Sequence, residues 1–223
     1  MSDLTAGGGR SEVATRAAEE NAYYHEAALN ATWTGARLAL GALSFLFGSF
    51  AFAYFYLRSS NSSSKWLPSS TIPPHQYWGA TIFALVAVSA LVQTLGLQRI
   101  KNGHKATWMI AALVALALGL AAVVCQIVEL LTLPFQPGMS GFASVFVGFY
   151  PVALVTWLAA MIWLEMMIMR ARFIPAISFV EQPPTYEQAF AVQRFQSALS
   201  AFTLVWNYLA IVTFIFWLLF YVR

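Results

Sequence analysis

Apolar residues fall in five long runs, divided by short stretches that are polar or rich in proline. The runs cover about 38–57, 77–97, 107–133, 141–169 and 198–222. Each meets or exceeds the roughly 20 residues a helix needs to cross a bilayer core. The pattern predicts an all-α integral membrane protein, a bundle of five transmembrane helices. Tyr54, Tyr56 and Arg58 close the first run, Tyr77 and Trp78 open the second, and Trp108 opens the third, as interfacial anchors do. Pro68, Pro73 and Pro74 make the first connection irregular, and Pro175, Pro183 and Pro184 do the same for the last. The fourth run is long enough to tilt and contains Pro151 and Glu165. Ahead of the first run, residues 1–10 are Gly-rich and read as disordered, and 11–33 read as a short surface helix. The domain reading is therefore a 1–34 N-terminal segment followed by a 35–223 membrane domain.

Inside the third run, Ala115, Gly119, Ala122, Gln126 and Glu129 recur at alternating steps of four and three. That spacing puts all five on one helical stripe. The three small residues form a packing seam that admits a close neighbour. A carboxyl group within a span is expensive and needs a partner, so the Gln126–Glu129 polar pair marks an internal face.

Composition agrees with this class. The chain is 60% hydrophobic and 9% charged, where soluble domains carry roughly a quarter charged residues. The net charge of +3 is spread through loops, with no basic patch that would point to nucleic acid. Nine of the 12 Lys and Arg residues fall on one side of the alternating topology: Arg10, Arg16, Arg37, Arg99, Lys101, Lys105, Arg170, Arg172 and Arg194. The positive-inside rule then places the N-terminus in the cytoplasm and the C-terminus outside. In this frame Glu129 lies toward the outer face and Glu165 toward the inner face. Glu165 reads two ways, as a carboxylate snorkelling toward Arg170 and Arg172 or as a contact with a partner. Arg58, Arg170 and Arg172, at span ends, are candidate lipid-headgroup contacts.

The runs lack recognisable cofactor chemistry. His25, His75 and His104 lie outside them, and Cys125 is alone. Membrane haem and copper sites use intramembrane His, so no catalytic, cofactor-binding or metal residue is expected here. Five spans do not divide into an inverted repeat, and their faces are too apolar for a channel lining. A small transporter is the weakest reading, and a subunit that packs on a catalytic partner is the strongest.

The third and fourth runs carry a family pattern. Leu118-Gly119 followed by Gln126 and Glu129 resembles the L-G-x6-Q-x-x-E element of subunit III of haem–copper terminal oxidases, the cytochrome c and quinol oxidases. That family continues with T-G-x-H-G-x-H; here Val147-Gly148-Phe149-Tyr150-Pro151-Val152-Ala153 stands in its place, keeping one Gly and carrying Tyr150 and Ala153 at the two His positions. The family's W-H-x-V-D is Trp206-Asn207-Tyr208-Leu209-Ala210. Phe52-Ala53-Tyr54-Phe55-Tyr56 is similar to the aromatic ending of its first span, but the acid that usually follows a Ser there is Phe45, after Ser44. The likeness covers roughly 35–222 and is closest to a divergent, five-helix bacterial form.

The resemblance implies a non-catalytic structural subunit of a respiratory oxidase in the bacterial cytoplasmic membrane. The catalytic subunit I would carry haem and copper, reduce O2 to water and pump protons; subunit II and other small membrane subunits would complete the complex. The chain would stabilise subunit I and bind phospholipid. The alternative within reach is an accessory subunit of a nitric oxide reductase. Gln126 and Glu129 are expected to hydrogen-bond within the bundle, tying the third helix to the fourth.

Overall fold

The computed structural model describes residues 6–61, 63–68, 73–180 and 185–222. The first five residues, Pro183, Pro184 and Arg223, all used in the sequence reading, lie outside these. Every described element is helical: α1 (Ala6–Ser60), α2 (Ser63–Trp66), α3 (Gln76–Lys101), α4 (Lys105–Leu131), α5 (Gly141–Arg172), a 3-10 turn (Ala176–Phe179) and α6 (Tyr186–Tyr221). Five of them are long and apolar enough to cross a membrane, so the chain is a multi-pass membrane protein.

The helices break where proline and glycine dictate. Pro68, Pro73 and Pro74 interrupt the chain between α2 and α3. Gly103, at φ +85°, makes the tight turn between α3 and α4, and an added Cβ there would meet Val180 at 3.0 Å. Ser140 caps α5, its Oγ accepting the amide of Ala143 at 3.0 Å. Pro151 sits within α5, which continues through it, as membrane helices allow when neighbours re-satisfy the freed carbonyl.

The expected N-terminal division is corrected. Residues 6–10 are helical rather than disordered, and 11–33 are not a separate surface helix. All belong to α1, a single helix of 55 residues, about 80 Å long at 1.5 Å per residue. No proline occurs before Pro68, and nothing else forces a stop. The early part of α1 packs along the start of α6: the hydroxyl of Ser197 donates to the carbonyl of Leu29 at 2.9 Å, and His25 meets the ring of Phe190 edge-on. The last helix likewise begins well before the expected 198, at Tyr186.

Contacts between helix ends define two ends of the bundle. At the far end, Gly141 abuts Trp66 and Asn61, and Gln76 Nε2 donates to the carbonyl of Tyr221 at 2.9 Å. At the near end, Lys105 donates to the carbonyl of Ile174 and Gly103 touches Val180. Thus α1, α4 and α6 run from near to far, and α3 and α5 return. α3 packs most extensively on α4, while α6 is flanked by α1, α3 and α5.

The core between these helices is aromatic and small at once. Trp108, Phe146, Phe202, Trp206 and Phe220 are fully buried, and Phe149 stacks on Phe216 with ring centroids 3.9 Å apart. α3 meets α6 closely at Gly79, where an added Cβ would lie 2.6 Å from the Tyr221 ring. Replacing Gly79 with Val therefore has to push Tyr221 outward. Overpacking of this kind costs about 1–3 kcal/mol, and thermal unfolding in detergent should show Gly79→Val as clearly destabilised while Gly35→Val, with nothing within 4 Å of its Cβ position, stays close to the parent.

Candidate functional site

The third-run stripe faces inward as its spacing requires. Ala115, Gly119, Ala122, Gln126 and Glu129 are all buried on α4. Ala115 is the acceptor of a hydrogen bond from α3, its carbonyl taking the hydroxyl of Ser89 at 2.8 Å. Gly119 lies against the edge of Trp206 on α6, 3.5 Å from an added Cβ. The small residues thus admit a Trp from the last helix as well as the backbone of a neighbour.

Glu129 is 2% exposed, and its carboxyl is held by two tyrosines from two other helices. Tyr150 OH on α5 is hydrogen-bonded to Oε2 at 2.5 Å. Tyr221 OH on α6 is hydrogen-bonded to Oε1 at 2.6 Å. The two hydroxyls also contact each other. The three oxygen-bearing groups close a triangle that joins α4, α5 and α6 near the far end. Gln126 is buried one turn below and lines a cavity with both tyrosines, but the hydrogen bonds of Glu129's side chain go to Tyr150 and Tyr221, not to Gln126. Glu129 thus finds its partners within the bundle in hydroxyls that reach in from facing helices, rather than in the glutamine at i−3 on its own helix. The tie also extends beyond α5 to α6.

The triangle borders two cavities. One, of about 150 Å³, opens at the far end beside His75, Trp78, Thr132 and Pro134 and reaches Glu129. The other, of about 40 Å³, lies inside the bundle against Gln126, Tyr150, Tyr221, Thr213 and Trp217. The Nε1 of Trp217 is buried without a partner. Deeper still, polar groups pair across helices: Trp206 Nε1 donates to Ser89 at 3.2 Å, Asn207 Nδ2 donates to Thr94 at 3.0 Å, and Gln93 Nε2 donates to Thr203 at 3.5 Å.

The remaining candidates lie apart from this site. Arg58 is exposed at the far end, donating to Tyr54 OH at 3.3 Å. Arg170 and Arg172 are exposed at the near end. Arg170 borders a cavity of about 380 Å³ together with Arg194 and Thr32. Glu165 is exposed on α5. Twenty-four residues separate it from the start of α5 at Gly141, roughly 36 Å of helix, so it and Glu129 belong to opposite ends. Among the described residues, no group of three or more His, Cys, Asp or Glu side chains could hold a metal ion.

Sequence reasoning did not single out Tyr221, Ser89, Gln93 or Thr203, and it treated Tyr150 only as a replaced histidine. One signal was available for Tyr221. With five alternating spans, the third and fifth end on the same side, so the last residues of α6 share a level with Glu129. No protein-family model matches the chain, and a search of curated proteins found no match.

Truncating Glu129 leaves the two buried hydroxyls only each other, so one of them loses its acceptor. A stranded group costs about 1–3 kcal/mol. Glu129→Ala should lower the thermal midpoint more than Gln126→Ala. A double-mutant cycle of Glu129→Ala with Tyr221→Phe should show coupling of about 0.5–3 kcal/mol; additive losses would mean that the contact carries no stability.

Proposed function

We propose that the chain is a non-catalytic membrane subunit that docks on a larger partner through α1, and that the partner is the catalytic subunit of a haem–copper terminal oxidase. The observation that carries the subunit reading is the bareness of α1. In its most apolar window 11% of residues are buried, against 44% in α5 and α6. Leu38, Phe45 and Phe52, seven residues apart, are 70%, 83% and 71% exposed. Between them Gly41 and Gly48 have nothing within 4 Å of a Cβ position. Without a hydrophobic drive between helices in lipid, small residues gain their value by letting a neighbouring backbone approach. Alternating bulky and bare positions on an uncovered apolar helix fit a second helix rather than lipid chains alone. Glu165, exposed on a membrane-spanning helix, adds a polar group that a partner could satisfy.

The choice of partner rests on the sequence pattern around Gln126 and Glu129, with two supports in the fold. Tyr150, at the place of a family histidine, binds Glu129 directly, and Asn207, at another, binds Thr94. Altered residues thus take up polar contacts across the bundle. In this reading the near end faces the cytoplasm of a bacterial inner membrane and the far end faces outward. Subunits I and II and further small membrane subunits surround α1, and the haem and copper belong to the catalytic partner. The cavity between Arg170 and Arg194 suits a phospholipid headgroup at the cytoplasmic surface, and Arg58 and Arg172 serve as further headgroup contacts.

Mild-detergent purification of the full chain from its native membrane, followed by an optical spectrum and metal analysis, tests this. The expected result is a co-purifying partner with haem and copper. Gly48→Leu on the bare face of α1 should release that partner while the chain itself stays folded. Haem without copper would move the assignment to a nitric oxide reductase. Recovery of the chain alone, with solute flux in liposomes, would favour a transporter and overturn the proposal.

A further inference from the structure

We propose that Glu129, Tyr150 and Tyr221 form a proton-holding site that exchanges with water at the far end of the bundle through the cavity beside His75. This inference is independent of the oxidase reading; it requires only the bundle and its cavities.

The hydrogen count carries the first step. The triangle has three oxygen–oxygen contacts: Tyr150 to Glu129, Tyr221 to Glu129, and Tyr150 to Tyr221. With an ionised carboxylate, the two hydroxyls supply two hydrogens, and a phenol has only one to donate. One of the three contacts would then have no hydrogen of its own. A protonated Glu129 supplies the third. The carboxyl donates to one tyrosine, that tyrosine donates to the other, and the second returns its hydrogen to the carboxyl. Every contact then contains a hydrogen.

The surroundings fit a neutral group. Glu129 is 2% exposed within a membrane-spanning helix, where an unpaired charge is costly. Among the described residues, no Lys, Arg, Asp or second Glu lines either cavity. The described titratable side chains there are His75 at the start of α3, Glu129 on α4, Tyr150 on α5 and Tyr221 on α6.

The cavities supply access. Glu129 borders the mouth cavity, and the two tyrosines border the inner one. The triangle therefore borders both. The inner space of about 40 Å³ has room for a few waters at roughly 10–15 Å³ each, and Gln126, Thr213 and Trp217 offer polar partners. Uptake moves one proton from a hydronium ion in the mouth cavity to a carboxylate oxygen of Glu129, leaving water. Release reverses it, and no bond between heavy atoms changes. Reorienting the two hydroxyls can present the proton to the inner cavity. Trp157 lines that cavity and stands edge-on to Trp206, so the site stores a proton rather than opening a path to the near end.

Infrared spectroscopy of the full chain in lipid nanodiscs, transferred from H2O to D2O, tests the proposal. The expected spectrum has a protonated-carboxyl C=O band that shifts on transfer and is lost in Glu129→Gln, which leaves Glu165 in place. Thr132→Trp, filling the mouth cavity, should slow the shift. Should Glu129→Gln fail to fold, Tyr221→Phe serves instead and should displace the band by removing one hydrogen-bond partner. A protonated-carboxyl band identical in parent and variant, or absent from the parent, overturns the proposal. A band that ignores D2O, or that exchanges equally fast in Thr132→Trp, overturns the route through the mouth cavity.

Discussion

A carboxyl group buried in a membrane bundle must find its hydrogen bonds within the protein, because lipid offers none. That requirement sets the far end of this structure. Glu129 can be satisfied only if Tyr150 and Tyr221 both reach it, which fixes the relative depth of α4, α5 and α6. Tyr221 can reach it only because Gly79 leaves room for its ring, which brings α3 into the same constraint. Gln76 then ties the first turn of α3 to the last turn of α6. One acidic side chain thus sets the register of four helices, while α1 is free of it.

Below that level the bundle relies on a different mixture. Helices in lipid gain little from hydrophobic burial against one another, so close packing and sparse polar links take over. The α3–α4 pair shows the first, with the carbonyl of Ala115 on α4 taking the hydroxyl of Ser89 and the Cβ position of Gly96 3.0 Å from Ala111. The α3–α6 pair shows the second, with Ser89, Gln93 and Thr94 meeting Trp206, Thr203 and Asn207. Gln93 is fully buried and its Oε1 is left without a partner. An unmet acceptor at this depth is a weak point in an otherwise closed interface, and a bound water would relieve it.

The parts of this fold legible in the sequence were those set by local composition. Each apolar run was found because a span has a minimum length, and the α4 stripe was found because a helix repeats every 3.6 residues. The continuous α1 was not, because changing polarity along a helix looks like a boundary although the backbone has no reason to stop. The partners of Glu129 were not, because Tyr150 and Tyr221 lie 21 and 92 residues away in sequence. Local spacing suggested Gln126 as the companion, yet facing helices provided better-directed donors. Residue type alone also undervalued tyrosine, whose ring packs as an apolar body while its hydroxyl satisfies a buried acid.

The same division separates the two proposals. α1 presents an apolar, partly bare surface outward, and a partner helix would complete it without altering the interior. The Glu129 triangle is complete within the chain, bounded by cavities that this one chain forms. A partner docked on α1 would lie across α5 and α6 from α4, so it would reach the triangle only by shifting those helices. Coupling between the two would then pass through Phe149, which packs against Phe47 and Phe50 of α1 on one side and adjoins Tyr150 on the other. A change in the tilt of α1 would press on that ring first, and Tyr150, the next residue along α5, is the group whose hydroxyl closes the triangle.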